Sequence, residues 1–377
     1  MAAHDGLLCA TLAQDGKSLL TGGEDGDKCT ADFASAPAGP VTFTVENVSS
    51  TAITEVEIQS ELKILGEKEN LAPGLPPSPF TITMNGGQYT LYCLGATPQT
   101  QPFTVTGEAA AAPTGSTATL LNQGTKDYGT WVGTQADGLK AAVADLKAAV
   151  DSGDVAKAQA AYLAARPFYE KIESDVEGFV MPGFKVGDNK GNLDYLIDMR
   201  ASNLDEKVGW SGFHAIERDL WKTGTIGDGT KKYAADLETN VGKLVDVVKT
   251  LTFKPEDLAN GAAALLEEVQ SNKITGEEEE FSHTDLVDFA ANVEGAQQAY
   301  AALRPGLLKI DANLVEQIDA QFVNVQQAVD KYRDPSAPGG FKPWTPEVRK
   351  ADAASLTAVI QPLHDSLSTI AQKVATA

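Results

Sequence analysis

Glu108-Ala109-Ala110-Ala111-Ala112-Pro113-Thr114-Gly115-Ser116 is where the chain changes its hydrophobic period, and reading it as a linker decides the fold. The stretch is small and polar, carries Pro and Gly, and has no apolar face to bury. Upstream of it apolar residues recur at every second position; downstream they recur at every third or fourth. A chain of 377 residues is also too long for one ordinary core. The expected division is a tail over 1–27, a β-domain over 28–107, a linker over 108–117 and a helical domain over 118–377.

Upstream, Val41-Thr42-Phe43-Thr44-Val45 alternates strictly, with Val41, Phe43 and Val45 on one face. Thr54, Val56 and Ile58 take one face of the next run, and Glu55, Glu57 and Gln59 the other. Phe80 to Met84 and Tyr89 to Leu94 flank Asn85-Gly86-Gly87, which reads as a hairpin turn, and Phe103-Thr104-Val105 closes the set. Short strands with Pro/Gly turns predict a β-sandwich. Residues 1–27 are Gly/Asp-rich, with neither a basic start nor an apolar segment of a signal peptide, and are expected to be a disordered or processed tail. Within them Leu20-Thr21-Gly22-Gly23 resembles a lipobox with Gly in place of the lipidated Cys, a hint of an export segment. Cys9, Cys29 and Cys93 make neither a disulfide framework nor a C-x-x-C motif.

Downstream, Tyr128, Trp131, Val132, Leu139, Val143, Leu146 and Val150 share a helical face, and Asp151-Ser152-Gly153-Asp154 ends that helix and caps the next. Thr345-Pro346-Glu347 opens a last helix, expected to run to about Val374. The helical part repeats itself. Ala161-Tyr162-Leu163-Ala164-Ala165-Arg166-Pro167 is echoed by Ala299-Tyr300-Ala301-Ala302-Leu303-Arg304-Pro305, and Lys171-Ile172 by Lys309-Ile310 in the same register. Two related bundles are the expected consequence. The copies differ where chemistry would sit: Glu170 corresponds to Leu308, and Glu173 to Asp311.

Acidic residues outnumber basic ones, 52 to 30, for a formal charge of -22. No basic stripe is present to neutralise phosphates, so nucleic acid is not an expected partner; a cation is, because a negative field concentrates cations. No apolar run approaches the ~18 residues of a membrane span. The sharpest local feature is Phe213-His214-Ala215-Ile216-Glu217, in which His214 and Glu217 share a helix face. A bare H-x-x-E is more often a core histidine paired with an acid. The setting differs: Glu170 and Glu173 form a second i, i+3 pair, Asp194 and Asp198 lie between that pair and His214, and Glu277 to Glu280 run into Phe281-Ser282-His283-Thr284-Asp285. In isolation the acidic run reads as a solvated helix start. Acids converging from several bundle helices would repel one another unless a cation neutralised them.

Gly212 to Glu217, with Gly276-Glu277-Glu278 and Phe281 to Asn292, resembles the imelysin family and within it the EfeO branch, over about residues 118–370. The resemblance implies two four-helix bundles behind a cupredoxin-like β-sandwich. It also implies iron (Fe3+ or Fe2+) on His214 and Glu217 with Glu170, Glu173, Asp194 and Glu277. In the β-domain, Cys29, Glu55 and Cys93 match the branch's site of cysteines and acids, suited to copper or zinc; Glu57 is an alternative to Glu55, and Gln88 stands where the pattern has an acid. A Cys29–Cys93 disulfide is the competing reading. With no histidine between His4 and His214, an ordinary blue-copper centre is excluded. The branch implies a secreted component, periplasmic or extracellular, with a lipid anchor as an open alternative, which passes iron to a permease beside a haem peroxidase. The family also bears a peptidase label. A zincin needs a second histidine one turn from the first, and here Arg218, Leu220 and Trp221 fill that turn. A di-iron oxidase needs Glu-x-x-His on two helices, and only one such pair exists, in inverted order.

Overall fold

The structure is a computed structural model that describes residues 7–13 (backbone only), 27–60, 63–69, 71–108 and 114–377. Nine strands come first: β1 (Leu7–Ala13), β2 (Lys28–Ala31), β3 (Ser35–Pro37), β4 (Gly39–Asn47), β5 (Val56–Gln59), β6 (Ile64–Lys68), β7 (Ser78–Met84), β8 (Gly87–Tyr92) and β9 (Thr100–Thr106). They form two sheets, ordered β2-β1-β4-β7 and β3-β9-β8-β5-β6. Val41, Phe43, Val45, Phe80 and Ile82 of the first sheet share one buried cluster with Val56, Ile58, Leu91, Phe103 and Val105 of the second. Phe43 stacks on Phe80 and meets Phe103 edge-on, with ring centroids 5.3 and 6.1 Å apart.

Three expectations change here. Asn85-Gly86-Gly87 does not close a hairpin, because β7 pairs with β4 and β8 pairs with β5 and β9. Alternation says which face is buried but not which strand lies alongside; a Cβ at Gly86 would collide with the Gly107 carbonyl at this sheet-to-sheet corner. Part of the expected tail is a strand: β1 runs parallel to β4 and antiparallel to β2, while Leu20-Thr21-Gly22-Gly23 and most of the linker lie outside the described residues. Third, a disulfide joins Cys29 to Cys93. Its sulfurs are spent on each other, so Cys29, Glu55 and Cys93 do not form a thiolate metal site here. Glu55 groups instead with Glu57 and Glu67, and Gln88 is exposed, accepting from Thr104 Oγ1. Since the bond spans 64 positions, replacing both cysteines by serine should cost the β-part about 2–4 kcal/mol. Urea unfolding of that part with and without the bond measures it, and an unchanged midpoint would contradict a structural role.

The helices are α1 (Ser116–Ser152), α2 (Val155–Glu170), α3 (Glu173–Val176), α4 (Leu193–Asp198), α5 (Gly212–Glu217), α6 (Asp228–Val248), α7 (Pro255–Glu268), α8 (Asp285–Ile310), α9 (Ala312–Asp330), α10 (Pro346–Ser368) and α11 (Ile370–Ala375). Gly153 ends α1 in the left-handed region, Asp154 accepts from Lys157 N to cap α2, and Thr345 caps α10 ahead of Pro346. The acidic run is not a helix start; it lies in turns, and α8 begins only at Asp285. π-helical turns extend α5 over Arg218–Thr223 and α7 over Val269–Lys273, a distortion frequent at functional sites.

The two copies of the sequence repeat have different surroundings. Tyr162 and Arg166 face inward on α2, whereas Tyr300 and Arg304 on α8 both hold Asp319, the Arg304–Asp319 pair lying half-exposed. Glu170 is fully buried while its counterpart Leu308 is 43% exposed, so the acid in the first copy belongs to an interior feature that the second has lost. The β-part packs on the helices through β6 and β7. Lys63 bridges to Phe179, Asn260 and Lys254 donate to the carbonyls of Thr81 and Thr83, and Lys68 pairs with Glu267. Glu57 and Gln59 on β5 are buried.

Candidate metal centre

α5 begins at Gly212 with φ 69°, where a Cβ would run into the Ile197 carbonyl. Glycine alone permits that approach, and it brings His214 against the end of α4 at Asp198. His214 and Glu217 are buried, at 1% and 0% exposure. Their flanks are apolar: Phe213, Ile216 and Leu220 are buried, and the Tyr162 ring meets Phe213 and Trp221 edge-on. His214 Nδ1 lies 3.1 Å from Glu217 Oε2, and Nε2 lies 3.2 Å from Glu278 Oε1 and 3.4 Å from Asp198 Oδ1.

The acids are fixed by other contacts. Glu217 Oε1 accepts from the backbone N–H groups of Phe281 and Ser282 at 2.8 and 2.7 Å. Glu279 accepts from the Tyr162 hydroxyl at 2.7 Å and from the hydroxyls of Ser282 and Thr284. Two triads result, Asp198–His214–Glu278 and His214–Glu217–Glu279, each with one ligand atom per residue within 4.8 Å of the others. A third group, Glu55–Glu57–Glu67, meets the same measure on the β-part.

Two buried cations stand among these carboxylates. Arg166, fully buried, contacts Glu170, Asp198, Glu278, Glu279 and Asp288. Lys273, also fully buried, lies 3.1–3.5 Å from Glu170, Glu173, Glu268 and Glu278. Asn292 donates to Glu170 and Glu173. Even with Arg200 paired to Glu268 and Glu278, the buried carboxylates outnumber the cations, and such an excess must bind protons or a cation.

The titrations follow from that excess. Burial pushes Glu170 up to about 8 despite Arg166 and Lys273, and burial with the Glu217 charge lifts Glu279 to about 7. Glu173, Asp285 and Asp288 rise well above the carboxylate range, chiefly by burial. Burial also opposes charge on Glu278 and Asp198, but Lys273 and Arg200 hold the first well below its usual value, and Arg166 with His214 holds the second below. Burial disfavours charge on His214 too; Asp198, Glu217 and Glu278 override it and raise its pKa well above 6.5. In the metal-free site these carboxylates favour the charged imidazole. A metal ion would take that charge's place.

Of the residues expected from sequence, the structure brings His214 and Glu217 together, with Glu170 and Glu173 in the adjoining Lys273 cage. Asp194 and Glu277 do not reach His214. Asp194 is held by the Tyr169 hydroxyl and burial raises it to about 6; Glu277, half-buried, lies 3.9 Å from Arg200. Their places are taken by Asp198, one turn on, and by Glu278 and Glu279, the buried members of the run. Because the run lies in turns, helical phasing could not select among its members. Arg166 and Lys273 were missed as well, although Arg166 sits in the repeated Tyr-Leu-Ala-Ala-Arg-Pro motif.

Chemically this is a buried, acid-rich cluster of carboxylate oxygens and one imidazole, which suits hard cations. The comparisons agree with that character. The family model described as imelysin (peptidase M75) matches residues 124–370. The chain is 34% identical over 343 residues to the iron uptake system component EfeO of Escherichia coli strain K12, covering 89% of this chain and 87% of that one, and matches Shigella flexneri EfeO to the same extent. A crystal structure of a chain described as an iron-regulated protein A precursor from Parabacteroides distasonis superposes with a TM-score of 0.51 at 15% identity, covering 70% of this chain and 97% of that one, a likeness of fold alone. With a matched domain over most of its length and relatives along nearly all of it, the chain belongs to the imelysin family, as an EfeO-type iron-uptake protein.

Proposed function

We propose that the chain is the metal-binding component of an iron-uptake system, taking up iron as cargo at the His214 centre outside the cytoplasmic membrane and passing it to a permease, with a haem peroxidase as a second partner. The observation that carries this reading is the buried convergence of His214, Glu217, Glu279, Asp198 and Glu278 with more acid than its cations balance. Ferric iron fits such a site better than ferrous, since neutralisation grows with cation charge. The Cys29–Cys93 disulfide supports an oxidising compartment, periplasmic or extracellular, and no described helix is long and apolar enough to cross a membrane. A lipid anchor is compatible with both. The β-part, with its two-sheet sandwich, is read as cupredoxin-like in shape, and the repeated Tyr-Arg-Pro motif supports two related bundles over 118–377. That segment alone should keep the ferric site.

Zinc-dependent peptide hydrolysis is not favoured. Glu217, the acid of the H-x-x-E pair, has one oxygen tied to two backbone N–H groups and the other facing His214. Calorimetric titration of ferric citrate tests the proposal. His214→Ala/Glu217→Ala should weaken binding by about 100-fold or more while the chain keeps its helical circular dichroism. Unchanged affinity in the folded double variant, or zinc-dependent cleavage lost with Glu217→Ala, would sink it.

A further inference from the structure

Lys273 fills a position that a second cation could occupy. It sits on the π-helical turn after α7, fully buried, with its ammonium 3.3 Å from Glu170, 3.5 Å from Glu173, 3.3 Å from Glu268 and 3.1 Å from Glu278. An ammonium has three protons to donate, so it cannot satisfy four carboxylates at once. Glu278 spans two compartments: Oε2 faces Lys273, and Oε1 faces His214 Nε2 at 3.2 Å. A carboxylate with one oxygen toward each of two cation positions is how bundle proteins bridge paired metal ions. The Asn292 amide gives a second, independent indication. Its Nδ2 donates to Glu170 Oε2 and Glu173 Oε2, the same oxygens that face Lys273. Its Oδ1 is buried on a fully buried residue and has no partner among the described residues. Leaving a buried carbonyl oxygen unpaired is costly, and the same amide turned over would present that oxygen, in place of Nδ2, to a cation standing where the ammonium stands.

We infer that Lys273 is a built-in counter-cation that holds the second position of a two-cation cage and so limits the helical part to one metal ion, at His214. This inference rests on the reading that the His214 centre binds iron. Removing the ammonium while keeping the acids should open a second site formed by Glu170, Glu173, Glu268 and Asn292 Oδ1, bridged to the first by Glu278. Lys273 thus sets stoichiometry, and it does so without touching the cargo.

The test is metal analysis of the full chain loaded with ferric nitrilotriacetate and desalted, for wild type and Lys273→Ala, with Glu55, Glu57 and Glu67 replaced by Gln in both so that the β-part acids add no iron, and with electron paramagnetic resonance of the same samples. Wild type should carry about one iron per chain and Lys273→Ala about two; in the variant the mononuclear high-spin signal should be lost to coupling between neighbouring ions. A folded Lys273→Ala that still carries one iron, or a wild type that already carries two, overturns the inference and leaves the iron-binding proposal standing. A wild type that carries none overturns both. Lys273→Ala can fail to fold when its acids are uncompensated, so thermal melting with and without the ferric chelate is the second measurement. Rescue by iron to a melting temperature near the wild type's supports a cation site in the cage, and no rescue counts against it.

Discussion

Arg166→Ala should destabilise the metal-free chain at neutral pH by about 3–5 kcal/mol, the usual result of removing one partner from a buried ionic group. The guanidinium is completely buried and touches Glu170, Asp198, Glu278, Glu279 and Asp288. Those acids stay where the surrounding helices and turns place them. The loss should therefore shrink on acidification, as protons take over the arginine's role. Denaturant unfolding at two pH values measures both. A loss under about 1 kcal/mol would mean that the protons these raised acids hold suffice without the guanidinium, and that its pairs with Asp198 and Glu278 carry no stability.

Metal affinity should rise steeply between about pH 6 and 8, while the stability of the metal-free chain falls over the same range. Glu279 at about 7 and His214, raised well above 6.5, must each lose a proton to accept a metal ion, while Glu170, at about 8, titrates in the adjoining cage. Each proton released at a given pH adds about tenfold to the apparent affinity per pH unit. The folded-state pKa values of these groups lie above their unfolded ones. Their contribution to folding is complete below the unfolded values and disappears as pH rises through the folded ones. Glu278 and Asp198, whose values are lowered, act in the opposite sense, losing their contribution only in acid, as pH falls through their depressed values. Calorimetry in buffers of different ionisation enthalpy counts the protons. Release of none would contradict the proton-filled pocket.

The division into strands and helices was legible because periods of two and of three to four residues are local properties of the chain. Sheet pairing was not. Phe80, Ile82 and Met84 alternate in the same way whether β7 pairs with β8 or turns its back on it, and that is why Asn85-Gly86-Gly87 reads as a hairpin. His214 and Glu217 were legible because three residues on a helix fix a shared face. Asp198 was harder to choose over Asp194, since both lie on the six-residue α4 and the close approach of Gly212 to Ile197 decides between them. Arg166 and Lys273 were hidden for a different reason. Such residues are ordinarily solvated, and only the density of buried acid, visible once the chain is folded, makes an interior position favourable for them. The Glu170-to-Leu308 difference between the repeats was the one sequence signal that the acids faced inward.

The central claim is that iron binds among His214, Glu217 and the carboxylates beside them. Anomalous diffraction at the iron absorption edge, from crystals of the full chain loaded with ferric citrate, tests it most directly. The account predicts the strongest anomalous peak in ligand contact with the His214 imidazole and with carboxylate oxygens of Glu217 and Glu279 or of Asp198 and Glu278. A principal peak at Glu55, Glu57 and Glu67, with none at His214, would contradict it.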